Sequence, residues 1–96
     1  ICEAELSTES LLALYREHYA GEHFVVVTDG SPSTKATLGS NVAQVTVRHD
    51  PRTGFVVGIC AIDNLTKGAS GAAVQCANII CGLPETSGLP VVGVYP

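Results

Sequence analysis

The chain has 96 residues, of which 46% are hydrophobic and 15% are charged, and its formal net charge is −4. This composition is typical of one small folded domain and excludes disorder as the default interpretation. Because lysine and arginine together number only five and form no basic stretch, nucleic acid and anionic membranes are poor candidates for partners. No apolar span reaches the length of a transmembrane helix, and the N-terminal residues do not have the pattern of a signal peptide.

Four cysteines are present, and each lies in an apolar stretch. An even number of cysteines in a short chain permits a disulfide framework. However, a free cysteine in apolar surroundings behaves as a small buried hydrophobe, and no pair has the Cys-x-x-Cys spacing of a zinc site. We therefore predict a reduced, cytoplasmic protein with no metal site and with buried thiols at Cys2, Cys60, Cys76 and Cys81.

The first quarter of the chain is predicted to contain a strand, a helix and a second strand. The chain begins with Ile1 and contains no methionine, so we expect it to be a piece of a longer protein. Residues 1–6 are predicted to be extended. A helix is predicted over residues 8–20, because leucines and tyrosines recur there at helical spacing between a serine or threonine cap and Gly21. The β-branched run Phe24–Val27 predicts a strand.

The middle of the chain is predicted to be a long polar loop followed by a hairpin. Turn-forming residues follow Thr28, and the segment stays polar to Asn41, which is long for a loop in a compact domain. Val42–Arg48 alternates between apolar and polar residues, as a strand does. Asp50–Gly54 has the composition of a turn. Phe55–Ile62 is nearly continuously apolar, which predicts a strand buried on both faces.

A second helix is predicted over residues 65–81, capped by Asp63 or Asn64 and ended by Gly82. A short apolar stretch, Val91–Val94, closes the tail. The order β-α-β-β-β-α predicts an α+β fold in which two helices pack on an antiparallel-rich sheet. The stripe of the second helix that is expected to face the core consists of Leu65, Ala69, Ala72, Cys76 and Ile79.

The start of the second helix is the segment richest in chemical information. Gly68 and Gly71 lie inside the helix, where each glycine costs ~1 kcal/mol relative to alanine. A helix accepts this cost where another backbone or a ligand approaches closely. Lys67, together with free N–H groups at a helix N-terminus, would make an anion site. From the residues alone, close helix–sheet packing is favoured over an anion or cofactor site.

Two further groups of polar residues are weaker candidates. Residues 33–35 and 39–41 supply hydroxyls, an amide and a cation to the long loop, which would suit a polar ligand or an ordinary surface loop. His18, His23 and His49 are possible general bases, but none is placed beside a nucleophile, and surface positions are favoured. The chain carries no dinucleotide-binding glycine motif of its own.

Two segments near the C-terminus resemble the family of N-acetyl-gamma-glutamyl-phosphate reductases. The first is Ile62–Gln75, with Asp-Asn-Leu-Thr-Lys-Gly near its start, and the second is residues 82–89, Gly-Leu-Pro-Glu-Thr-Ser-Gly-Leu. Residues 19–25, Lys35 and residues 39–41 also resemble this family, so the resemblance covers nearly the whole chain. The Asp-Asn-Leu-x-Lys-Gly segment is shared with aspartate-semialdehyde dehydrogenases, whereas the second segment favours the reductase.

The resemblance implies NADPH-dependent reduction of an acyl phosphate, N-acetyl-glutamyl phosphate, to a semialdehyde in arginine biosynthesis by a homo-oligomer. The family's catalytic cysteine and histidine match no residue of this chain, so no catalytic residue is predicted and the chain alone is expected to be inactive. Residues 1–63 are expected to be the later half of the dimerisation and catalytic domain. Residues 64–96 are expected to form a helix and tail that return to a nucleotide-binding domain outside this chain.

The resemblance also implies that the second helix faces the NADP(H) cofactor. Asn64 is expected to bind the nicotinamide amide, with Lys67, Gly68 and Gly71 at the start of the helix. The expected substrate-side residues are Lys35, Ser40 and Asn41.

Two other interpretations remain open from the sequence. The chain could be a stand-alone binding or oligomerisation domain that reuses this fold without catalysis, or a piece of an aspartate-semialdehyde dehydrogenase. If strands that complete the sheet lie elsewhere in a longer protein, the isolated chain is expected to associate or aggregate through unpaired strand edges.

Overall fold

A computed structural model describes residues 2–3 and 6–93 of the chain. Within these residues a mixed sheet is accompanied by helices, and none of the helices combines the length and apolar character needed to cross a membrane. The strands are β1 (Cys2–Glu3), β2 (Val25–Val27), β3 (Ala43–Asp50) and β4 (Phe55–Ala61). The helices are α1 (Thr8–His18), α2 (Thr34–Thr37) and α3 (Gly71–Ile80), and a π-helical turn (Thr66–Ser70) leads directly into α3.

The strands of the sheet lie in the order β1-β4-β3-β2. The predicted hairpin is confirmed: β3 and β4 are antiparallel, with Val47 opposite Gly58, and β1 pairs antiparallel with the start of β4. In contrast, β2 is parallel to β3. The sheet is therefore mixed, with two antiparallel pairings and one parallel pairing among the described residues. A parallel pair needs a crossover of about a dozen or more residues, which the long segment between β2 and β3 provides.

Helix α1 covers one face of the sheet and forms the core with it. Leu11 and Leu12 pack with Val47 and Val56, and all four are less than 10% exposed. The Ser7 hydroxyl accepts a hydrogen bond from the Ser10 N–H, which caps the helix at its start. The helix predicted over residues 8–20 is thus present and ends two residues early.

The opposite face of the sheet is open around Phe55 and Ile59 in the described chain, so the prediction of a strand buried on both faces is wrong for β4. Val56 points toward α1 and is buried, whereas Phe55 and Ile59 are 41% and 44% exposed. The prediction failed because a continuous apolar run indicates a second covering layer, and no element of the described chain supplies one. Cys60, near the end of the same strand, was also expected to be buried but is exposed.

The predicted second helix is present, but the side that it buries is not the predicted one. Leu65 and Ile79 of the predicted apolar stripe are 75% and 60% exposed, whereas Gly71 and Asn78 are buried. The helix turns this polar and small side inward because residues 84–90 and Asn41 pack and hydrogen-bond there. Cys76 and Cys81 are consequently exposed rather than buried. Gly82, with a φ of +70°, ends the helix as predicted.

Three smaller differences concern the ends of the chain and the loop. The long loop contains the short helix α2, whose first residue follows the cap Ser33. Only Cys2–Glu3 of the predicted N-terminal extended segment is a strand, and Ile1, Ala4 and Glu5 lie outside the described residues, as do the side chains of Cys2 and Glu3. Of the apolar stretch near the C-terminus, residues 91–93 form no strand and Val94 lies outside the described residues.

Candidate functional site

The start of the second helix is a π-helical turn capped by Asp63. The backbone N–H of Thr66 donates to Asp63 Oδ2 at 2.8 Å, and the N–H of Gly68 donates to the Asp63 carbonyl at 2.9 Å. The Ser70 N–H reaches the Leu65 carbonyl at 3.1 Å, which is the i+5 spacing of a π-helix. Hydrogen bonds from the Thr66 hydroxyl, and then from its backbone N–H, hold the pKa of Asp63 below its usual range. Turns of this kind occur frequently at functional sites.

The two helix glycines have different surroundings. An added Cβ at Gly71 would lie 2.3 Å from Asn41 Oδ1 and 2.6 Å from the Thr66 carbonyl oxygen, so no side chain fits there. At Gly68 the nearest atoms to an added Cβ lie at 3.4–3.5 Å, which is ordinary van der Waals contact. The close approach that the glycines indicated is therefore made at Gly71, by the side chain of Asn41 and the backbone of the π-helical turn.

The side chain of Gln75 connects four parts of the chain. Its Oε1 accepts hydrogen bonds from Lys67 Nζ at 2.5 Å and from Asn41 Nδ2 at 3.0 Å. Its Nε2 donates to Glu85 Oε1 at 2.7 Å. The Lys67 ammonium also lies 5.1 Å from the centre of the buried Phe24 ring, a cation–π arrangement. Lys67 is thus held in place by a neutral oxygen and by an aromatic face.

Lys35 and Asn64 line one open cavity of about 340 Å³. They come from distant parts of the sequence, Lys35 from α2 and Asn64 from the segment between β4 and the π-helical turn. Both side chains are exposed. The remaining residues that line the cavity are Thr34, Leu38, Ile62 and Asp63.

The family model of the semialdehyde dehydrogenase dimerisation domain matches residues 2–64. The chain belongs to this family. Similar proteins named N-acetyl-gamma-glutamyl-phosphate reductase match beyond the domain, along nearly the whole chain. The protein from Thermus thermophilus is 53% identical over 94 residues, which are 98% of this chain and 27% of that protein. The protein from a Methylobacterium species is 50% identical over 95 residues, which are 99% of this chain and 29% of that protein.

These matches confirm the resemblance that the sequence motifs indicated and the α+β fold class that it implied. The chain spans less than a third of the length of these relatives. The matched region of each relative includes the counterpart of the second helix, since the alignments cover nearly all of this chain. The semialdehyde dehydrogenase domain itself accounts for the sheet and α1.

The structure places six of the seven predicted site residues of this family member in two groups, and the seventh, Ser40, lies apart from both. Lys35 and Asn64 share the cavity, with Gly68 next to Asn64. Lys67, Gly71 and Asn41 meet around Gln75 and the π-helical turn. Ser40 is 1% exposed, and its hydroxyl donates to the Thr37 carbonyl at 2.8 Å and accepts from the Val42 N–H at 3.3 Å. Its hydroxyl thus makes both of these hydrogen bonds within the loop.

Sequence reasoning missed Gln75, Glu85 and Phe24. One signal was present: Gly71, Gln75 and Asn78 recur at i, i+4 and i+7 and so lie on one side of a helix. Asn78 Nδ2 donates to the carbonyls of Glu85 and Ser87, both at 3.0 Å, which secures the tail against that side. The ring of Phe24 beneath Lys67 had no local signal, because the two residues are distant in sequence.

Proposed function

We propose that this chain is the C-terminal part of an NADPH-dependent N-acetyl-gamma-glutamyl-phosphate reductase, a cytoplasmic oxidoreductase of arginine biosynthesis. The observation that carries the proposal is the match of about half of all residues to proteins of that name along almost the entire chain. In this reaction an acyl phosphate is reduced to a semialdehyde. The free thiols of Cys60, Cys76 and Cys81 suit a reducing compartment.

The start of the second helix is the part of this chain that we assign to the cofactor. Asn64 presents an exposed amide next to the π-helical turn, and Gly68 leaves the adjacent backbone uncovered. Lys67, which directly precedes Gly68, supplies a fixed cation there, which suits the negatively charged groups of a dinucleotide. NADPH supplies the hydride when it is bound. The role of this chain is to bind and orient it, while the reacting cysteine and histidine belong to other parts of the full-length enzyme.

The cavity between α2 and the π-helical turn is the proposed substrate side. Lys35 lies in it together with Asn64, so a group held by Lys35 would be close to the cofactor-facing amide. Ser40 and Asn41 act there by shaping the loop, since both side chains are buried. Acyl phosphates are anionic, and a lysine in an open cavity is a suitable contact for one.

Two exposed apolar surfaces support the proposed assembly. The outer side of α3 exposes Val74, Ile79 and Ile80, and we propose that it packs on the nucleotide-binding domain of the full-length protein. The open face of the sheet exposes Phe55 and Ile59, and we propose that it contacts another subunit of a homo-oligomer. Residues 1–63 then belong to the dimerisation and catalytic domain, and residues 64–96 to the cofactor-side helix and tail.

Calorimetric titration with NADPH tests the proposal. The chain alone is expected to show no binding, whereas the full-length enzyme binds. Asn64→Ala and Lys67→Ala in the full-length enzyme are each expected to weaken binding by about tenfold or more, because a hydrogen bond to a charged or buried polar group contributes ~1.5–3 kcal/mol. Wild-type affinity and turnover in both variants would instead indicate a packing and assembly module.

A substrate comparison separates the reductase from the related dehydrogenase. The full-length enzyme is expected to reduce N-acetyl-glutamyl phosphate and to leave aspartyl phosphate unreacted. Preference for aspartyl phosphate would contradict the proposed substrate while leaving the proposed cofactor site intact.

A further inference from the structure

The orientation of the Gln75 amide is fixed by two charged groups on opposite sides of it. The Lys67 ammonium lies 2.5 Å from Oε1, and the Glu85 carboxylate lies 2.7 Å from Nε2. An ammonium group has only donors, and an ionised carboxylate has only acceptors. A reversed amide would set its NH₂ against the ammonium and its oxygen against the carboxylate. Gln75 can therefore hold both partners in only one orientation.

This orientation leaves a buried oxygen of Asn41 without a partner. Because Oε1 of Gln75 faces Asn41 at 3.0 Å, Asn41 must present its NH₂ there and turn its Oδ1 the other way. Asn41 is fully buried, and its Oδ1 has no hydrogen-bond partner in the described chain. Buried polar atoms rarely lack partners, and an exception calls for a reason. Gln75 thus makes its hydrogen bonds with Lys67 and Glu85 in an orientation that leaves the Asn41 oxygen without one.

The result of the arrangement is a lysine that is held in place without being neutralised. The contacts that the described residues make with the Lys67 ammonium are the Gln75 oxygen and the Phe24 ring. Neither carries a negative charge, and one ammonium donor is sufficient for Gln75, which leaves two. Glu85 is the acidic group of this network, and it binds the far side of the Gln75 amide instead of the lysine.

We propose that Gln75 is a positioning residue that holds the Lys67 ammonium ready for a ligand phosphate and separates it from the Glu85 carboxylate. This inference rests on the proposed function, in which Lys67 contacts an anionic ligand. The phosphate belongs either to the dinucleotide or to the acyl phosphate, since both ligands of the proposed reaction carry one. Gln75 itself does not touch the ligand and acts through Lys67.

The test replaces Gln75 by glutamate in the full-length enzyme. Gln75→Glu has nearly the same shape but gives Lys67 an anionic partner, so affinity for the phosphate-bearing ligand is expected to fall by about tenfold. The variant also places two carboxylates in contact, and the double variant Gln75→Glu with Glu85→Gln removes that repulsion while the lysine stays paired. Both variants are titrated with NADPH by calorimetry and assayed for the KM of the acyl phosphate, and their thermal unfolding is recorded.

If the inference is right, the double variant unfolds near the wild-type temperature but still binds one of the two ligands about tenfold more weakly than wild type. The ligand that is affected carries the phosphate that Lys67 contacts. Recovery of wild-type affinity in the double variant would overturn it, because the loss would then come from repulsion at Glu85. Lys67→Ala distinguishes the remaining cases. Loss of affinity in Lys67→Ala together with normal affinity in both Gln75 variants overturns the positioning role alone. Normal affinity in Lys67→Ala overturns the proposed cofactor or substrate role of Lys67 as well.

Discussion

Gly71 is the residue whose missing side chain the structure requires most clearly. Because an added Cβ would lie within 2.6 Å of both Asn41 Oδ1 and the Thr66 carbonyl oxygen, Gly71→Ala forces the loop and the helix apart. We expect the free energy of unfolding to fall by about 1–3 kcal/mol, despite the higher helix propensity of alanine. Denaturant unfolding of the chain measures this change.

Gly68→Ala is the matched control for that experiment. It adds the same methyl group three residues earlier in the same segment, where the nearest atoms lie at 3.4 Å or more. Stability is expected to stay within about 1 kcal/mol of wild type, with helix propensity favouring alanine. Equal losses in the two variants would show that the cost comes from the helix backbone in general and not from contact with Asn41.

At the scale of residues, sequence reasoning predicted that something approaches the glycines but could not say what. The approaching group at Gly71 is Asn41, which lies thirty positions earlier, in the loop before β3. Local spacing carries no information on such a contact. The polar helix start and loop had indicated Lys67 and Asn41 as candidates, the resemblance to the reductases implied their roles, and the structure then showed that Gln75 connects them.

At the scale of elements, the cap of the π-helical turn makes a prediction about pH. The pKa of Asp63 is lowered in the folded chain by its hydrogen bonds to Thr66. Its contribution to stability is therefore fully present above the unfolded pKa, near 3.8, and is lost as the pH falls through the lower folded pKa. We expect Asp63→Asn to melt at a lower temperature than wild type at neutral pH. The two melting temperatures should converge in acid, below about pH 4.

Thermal melts of wild type and Asp63→Asn, from neutral pH to below about pH 4, test this prediction. The other titratable groups are the same in both, so the difference between the two curves isolates Asp63. A difference that stays constant from neutral to acid pH would contradict the ionised cap, since an uncharged contact would be equally strong throughout.

The helices show where element prediction succeeds and where it stops. Caps and periodicity located α1 and the second helix closely, because these signals are local. The buried side of the second helix was predicted wrongly, because its apolar side was assumed to face the core. Asn78 and Gln75 instead bind the tail through Glu85 and Ser87. A helix that is apolar outward and polar inward is typical of an element that is completed by a partner outside the chain.

At the scale of the whole molecule, the chain leaves several apolar surfaces uncovered. β1 pairs only with Phe55 and Val56, so residues 57–61 of β4 have no strand partner on that side within the described chain. The open sheet face and the outer side of α3 add exposed apolar side chains, with Ile80 at 82% exposure. Unpaired strand edges and apolar patches of this kind promote association.

The isolated chain is therefore expected to associate at micromolar concentration, and sedimentation velocity would detect it. Ile80→Lys tests whether the outer side of α3 is covered by another domain in the full-length protein. In the isolated chain it should change the free energy of unfolding by no more than about 0.5 kcal/mol, because Ile80 packs against little there. In the full-length protein it should destabilise strongly, because a charge would then be buried at a domain contact.

Leu12→Ala provides the comparison, since Leu12 is 8% exposed and packs between α1 and the sheet. It should lower stability by about 2–5 kcal/mol in both the isolated chain and the full-length protein. For each variant, the loss of stability in the isolated chain is compared with the loss in the full-length protein. We expect these two losses to differ greatly for Ile80→Lys and little for Leu12→Ala. If Ile80→Lys has equally little effect in both contexts, α3 has no domain packed on its outer side, and the chain is better explained as a stand-alone module.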